Sequence, residues 1–202
     1  WWGLDDFGEW VAGCRDTTRV AHNMSGYDGV LLVNCLGYVL GMEVDTVCWG
    51  LKVMYVKGKG FTIVDSLNHV MTSLAKFPKI MGIDVPGVAK THFPHRFNSV
   101  ANKGYKGPMP GTEFYELQYT SDDPKECAEW HAAESLRYQP HTDVPWDMDQ
   151  IELAYCKMDV LVLQLCFGEY CWLNVAEQGV HPLKSATIAS HCLKMFRHKP
   201  VD

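Results

Sequence analysis

The 202-residue sequence has no run approaching the roughly 18 to 20 consecutive apolar residues that a bilayer span requires. Its first residues, WWGLDDFGEWV, carry no basic-then-apolar leader pattern, so a soluble intracellular protein is expected. None of the eight cysteines stands in a C-x-x-C pair, which argues against a zinc ribbon or a redox motif. Several, Cys35 and Cys166 among them, lie inside apolar helical patterns and are expected to be reduced core residues rather than parts of a disulfide frame. Nothing repeats internally, and no segment is low in complexity. Acid is missing from one long stretch: residues 85 to 112 hold no Asp or Glu, but do hold Lys90, Arg96, Lys103 and Lys106 with His92, His95, Phe93, Phe97 and Tyr105. From 113 to 159 the balance reverses, with twelve acids against Lys125, Arg137 and Lys157. The net charge of −6 argues against a protein that holds nucleic acid by bulk electrostatics, yet leaves room for one local phosphate-facing surface.

What is present is 47% hydrophobic, enough for one sizeable core. Leu4, Phe7, Trp10 and Val11 recur at helical spacing, and Thr18 to Ala21 reads as a short strand. The stretch 27 to 40, YDGVLLVNCLGYVL, is apolar nearly all round and predicts a buried helix ended near Gly41. LKVMYV and FTIVDSL flank KGKG, a hairpin signature. VMTSLAKFPKIMG predicts a helix that Pro78 bends or ends early. Residues 82 to 112, with four prolines and five glycines, predict one long ordered loop, a kind of segment that is usually functional. Residues 122 to 137 and 147 to 177 are helical candidates. Strand, helix, hairpin and then helices fit an α/β or α+β domain with a mixed sheet.

Two short stretches bear chemistry. AHNMSGYDGVLL (21 to 32) places Asn23, Tyr27 and Asp28 between a strand and a helix, where Asp is already explained as a helix cap. YCKMD (155 to 159) places Tyr155 and Asp159 four residues apart, on one face of a helix whose interior disfavours Asp. Each alone is compatible with a cap or a solvated helix face. Together they supply two carboxylates and a phenol, which are components of a two-metal phosphodiesterase site. Hard Mg²⁺ or Mn²⁺ ions prefer such oxygens. His92 and His95 lie three apart with Pro94 between them and no nearby Cys or acid, so a phosphate or packing role is expected there rather than zinc.

AHNMSGYDG resembles the second, and YCKMD the third, exonuclease motif of the 3′→5′ proofreading domain in family B DNA polymerases, above all in the protein-primed branch of viruses, linear plasmids and self-synthesising transposons. GFTIVDSL with LAKFPKIMGI, HFPHRFN with YKGPMP, and TIASHCLKMFR resemble further segments of that branch in the same order. The resemblance implies an α/β, ribonuclease-H-like exonuclease fold over residues 1–178, incomplete at its N-terminus, and a junction towards a polymerase core over 179–202. It implies Asp28 and Asp159 as ligands of Mg²⁺ or Mn²⁺ and Tyr155 as the group orienting the attacking water. Asn23, Tyr27, Ser66 and Leu67 would contact a single-stranded 3′ end, while Lys90, His95 and Arg96 belong to the DNA-facing loop. DNA, dNTPs and a terminal protein primer would be partners of the parent enzyme, acting in the nucleus or at a viral replication site, with no membrane.

The departures are specific. The family's first exonuclease motif is an Asp-x-Glu on a strand, and none precedes Asp28; Asp5, Asp6 and Glu9 have the wrong spacing. Residues 138 to 154 hold no Lys or Arg, where the family often has a catalytic Lys. The paired aspartates of the polymerase site are absent. The expectation is therefore an internal piece of a longer polymerase, with the missing motif upstream of Trp1, and little or no catalysis by the piece itself. A second expectation, of another class, is a decayed or domesticated element surviving as a DNA-binding or interaction module. Its binding would weaken on neutralising Lys90, Arg96, Lys103 and Lys106.

Overall fold

A computed structural model describes residues 3–84, 92–115, 124–138 and 144–198. In chain order the principal elements are α1 (Leu4–Gly13), β1 (Thr17–Ala21), α2 (Asp28–Asn34), β2 (Asp45–Trp49), β3 (Lys52–Gly58), β4 (Phe61–Asp65), α3 (Phe77–Met81), β5 (Lys106–Gly107), α4 (Pro124–Ser135), β6 (Trp146–Asp147), α5 (Met148–Gln178) and α6 (Ile188–His198). Contacts divide the chain into two units, Trp1–Asp84 with Leu163–Asp202, and Val85–Val162.

The first unit is built on a four-stranded mixed sheet of order β1-β4-β3-β2. β-Branched residues dominate VMYV and FTIV, and Gly60, at φ 86°, makes the turn between them that L-residues resist. β4 pairs antiparallel with β3 and parallel with β1, Thr17 opposite Phe61 and Ala21 opposite Asp65. Flanked on both sides, β4 is the most buried strand, as a near-continuous apolar run should be. β2, which the sequence reading missed, is the opposite case: an edge strand exposed along its whole length and bulged between Val47 and Cys48.

Val11, Met24, Leu32, Leu36, Val53, Val56, Phe61 and Ile63 form the core of this unit, each burial stabilising by about 1.5–3 kcal/mol. The stretch 27 to 40 is helical but not buried all round. Leu32, Cys35 and Leu36 face the core, whereas Val30, Tyr38 and Val39 are exposed. Its last turn, Cys35–Val39, widens to a π-turn in which the Leu40 N–H donates to the Cys35 carbonyl, and Gly41, at φ 62°, ends it. Likewise α1 forms as predicted but buries Val11, while Leu4, Phe7 and Trp10 stay exposed. Arg19 lies over the Trp10 ring, 4.8 Å from its centre.

Pro78 does not end a helix; it starts one. It sits in the first turn of α3, where its missing N–H has no helical partner to lose, and Gly82 in the left-handed region closes the C-terminus.

In the second unit, the loop described from His92 to Tyr115 is organised by aromatic packing. Phe93, Phe97, Trp146 and Met148 are buried together, with Tyr105, Phe114 and Tyr155 against them. The two-residue strands β5 and β6 pair antiparallel, and the Met148 N–H donates to the Tyr105 carbonyl. α5 is 31 residues long, and the division between the units falls within it. Among the described residues no helix is long and apolar enough to cross a membrane.

Candidate nucleic-acid interface

Because β1 and β4 are parallel and end together at Ala21 and Asp65, the segments that follow them emerge side by side. That is where an open α/β sheet offers a ligand site. Asp65 is fully buried and ties the two segments. Its Oδ1 accepts the backbone N–H of Asn23 at 2.8 Å and of Leu67 at 3.0 Å, and its Oδ2 accepts that of Ser25 at 3.0 Å. Three donors offset the cost of burying a carboxylate, and donors to a charged acceptor are the strong kind. Ser66 adds a second tie: its hydroxyl donates to the Ala21 carbonyl at 2.8 Å and lies 2.9 Å from His22 Nδ1.

The clamp holds Asn23 in the left-handed region, at φ 62°, which Asn tolerates better than most residues. Met24 anchors the following turn in the core, while Asn23, Tyr27 and Asp28 are exposed, Tyr27 by 70%. Asp28 is not the helix cap. Tyr27 holds that position without a side-chain capping bond, and Asp28 is the first residue inside α2. Asn23, Ser66 and Leu67 are thus brought together in the first unit, with Tyr27 and Asp28 at the start of α2.

Tyr155 and Asp159 stand one turn apart on α5 in the second unit. The Tyr155 ring stacks on Phe93, with centroids 4.7 Å apart, and meets the edge of His95 at 6.0 Å. Asp159 is half-buried and, with Glu152, helps to raise the Cys156 thiol pKa, an effect led by desolvation. His92 packs on Trp130 at 4.9 Å, so both histidines of the basic stretch have packing partners. Arg96 and Lys103 are exposed. Lys106 is already engaged: its Nζ lies 2.9 Å from Asp147 Oδ2, which raises the Lys106 pKa and holds the Asp147 carboxyl below its usual range. Lys90 lies outside the described residues.

Chemically, the first unit presents a rigid polar edge suited to an extended chain, and the second presents a phenol and a carboxylate on one helix face. Two carboxylates are fewer than the six or so oxygens a hard divalent ion gathers. Among the described residues, no group of three or more His, Cys, Asp or Glu side chains is placed to hold a metal. The residue that sequence reasoning missed is Asp65. Its signal was a lone acid closing an otherwise apolar strand, FTIVD, immediately before the Ser66–Leu67 pair that was singled out.

A comparison with protein families matches residues 15–200 to the family described as DNA polymerase type B, organellar and viral. The chain belongs to this family. No curated protein and no solved structure matches it. The match to type B DNA polymerases takes in residues 21 to 32 and 155 to 159, the clamp at Asp65 and all of α6.

Proposed function

We propose that this chain carries the 3′-end-handling part of a protein-primed type B DNA polymerase, a ribonuclease-H-like 3′→5′ exonuclease region spanning residues 1–178 with a junction over 179–202. The observation that carries the reading is the clamp. Asn23 and the Ser66–Leu67 pair, more than forty residues apart, converge through Asp65 at the end of two parallel strands. In this reading Asn23, Tyr27, Ser66 and Leu67 hold a single-stranded 3′ end, and Lys90, His95 and Arg96 are further DNA-contacting residues. Tyr155 orients the attacking water, with Asp28 and Asp159 as ligands of Mg²⁺ or Mn²⁺. Such ions, when bound, stabilise the attacking and leaving oxygens of a phosphoryl displacement. The parent would use DNA and dNTPs, and a terminal protein as primer.

The sequence ahead of Asp28 holds no Asp-x-Glu, so the chain itself should bind a strand but cleave it poorly. The test incubates the chain with a labelled single-stranded oligonucleotide and Mg²⁺ or Mn²⁺. The expected result is binding without processive digestion. Absence of binding at low salt overturns the reading, and robust digestion abolished by Asp159→Ala overturns the claim of inactivity.

A further inference from the structure

A groove of about 1090 Å³ opens in the first unit, beside the clamped loop. It lies at the upper end of the roughly 300–1,000 Å³ of ligand pockets. One side is the loop at His22, Asn23 and Ser25. The other is the edge strand β2 and its turn, with Trp49 79% exposed and Lys52 beside it, facing solvent. Met71, 84% exposed, and Leu67 add to the apolar lining, with Ile188 at the start of α6.

Three features restrict the occupant. The lining contains Lys52 and no Asp or Glu, in a chain whose net charge is −6, so the groove is selectively spared acid. Trp49, four-fifths in water, lines the groove with the exposed Val47 and Met71, and an exposed apolar patch of this kind marks an interaction site. Asn23 and Leu67, assigned above to the single strand, line this same groove. A flat apolar face joined to a backbone anion at short range describes a nucleotide strand, and aromatic side chains interleaved with cations are how such strands are held without sequence preference.

We propose that the groove is a single-stranded DNA site extending beyond the clamped loop, in which a base stacks on Trp49 and a flanking phosphate meets Lys52. This rests on the single-strand reading above and adds two residues to it. Gly50, at φ 60°, sets the turn that carries Trp49 back into β3.

The test is fluorescence anisotropy of a short labelled oligo-dT with the full chain, on wild type, Trp49→Phe, Trp49→Ala and Lys52→Gln. Stacking of one base contributes about 1–3 kcal/mol, so Trp49→Ala should weaken binding roughly tenfold while Trp49→Phe keeps most of it. Lys52→Gln should lower the slope of log affinity against log salt by about 0.7, a change that a structural role would not produce. Oligo-dT binding that is unaffected by Trp49→Ala and Lys52→Gln overturns this proposal and leaves the reading above intact. No oligo-dT binding by the wild type overturns both. Equal affinity for duplex DNA, or for dTMP alone, also overturns the assignment to a single strand.

Discussion

Asp65 shows how a single carboxylate can shape a site without touching a ligand. Its two oxygens accept three backbone N–H groups from two segments, so replacing one oxygen by an amide must turn a donor against a donor. Asp65→Asn is therefore expected to cost about 1–3 kcal/mol, the penalty of a buried unsatisfied donor. Hydrogen exchange should accelerate at the amides of Asn23 and Ser25 well before it does in β4. Chemical denaturation and exchange measured on the same variant check this; unchanged exchange at Asn23 would mean that the loop is held by Ser66 alone. Sequence reading named Asn23, Ser66 and Leu67 but not the group that joins them, because a hydrogen bond to a backbone N–H leaves no trace in the partner's residue type. It also named Lys106 among the cations whose neutralisation would weaken DNA binding, and pairing with Asp147 was invisible for the same reason: the two meet only when β5 and β6 pair.

At the level of elements, local composition served: β-branched runs about a glycine turn for strands, and long apolar spacing for a helix. β1, the β3–β4 hairpin and α5 all lie where their patterns indicated. β2 escaped because an edge strand needs no apolar alternation, and β5 and β6 because two residues carry no period. Pro78 was misread because a proline in the first turn of a helix and one that ends it differ only in what precedes them. The approach of α2 to the sheet depends on a missing side chain. A Cβ on Gly29 would stand 2.9 Å from the Val53 Cβ and 3.0 Å from the Met24 carbonyl, neither of which is the flexible end of a side chain. Helix propensity alone would make Gly29→Ala stabilising by about 1 kcal/mol. Overpacking, typically about 1–3 kcal/mol, should win and leave the variant less stable, with the larger spectral changes at Met24 and Val53. A melting temperature above wild type would show that α2 can slide outward, and would uncouple the Asp28 loop from the sheet.

The chain as a whole carries its titration risk in the packing of its last two helices. His69 and His191 are both buried, with rings 6.3 Å apart. His69 Nε2 lies 3.0 Å from the Ser185 carbonyl, and so donates to it, and His191 Nε2 lies 2.9 Å from Asn174 Oδ1. Neither Nδ1 has a hydrogen-bond partner, so a second proton on either ring would have no acceptor. Burial, first of all, pushes both imidazoles below their ordinary value of 6.5; the neighbouring His191 adds to this at His69, and Lys194 and His181 at His191, while the Ser185 carbonyl and Asp65 partly oppose it at His69. Between the folded and the ordinary pKa the unfolded chain binds more protons than the folded one, so stability rises with pH through that window. The contribution is complete above about 6.5 and is lost as pH falls through the depressed values. Thermal unfolding followed by circular dichroism should give a midpoint nearly constant from pH 8 to about 7 and falling steeply towards pH 5. His69→Gln keeps a donor for the Ser185 carbonyl and removes the titration, so it should flatten part of that fall. A midpoint as steep in His69→Gln as in wild type would assign the whole dependence to His191 or to the carboxylates, and would relieve the α5–α6 packing of the role given to it here.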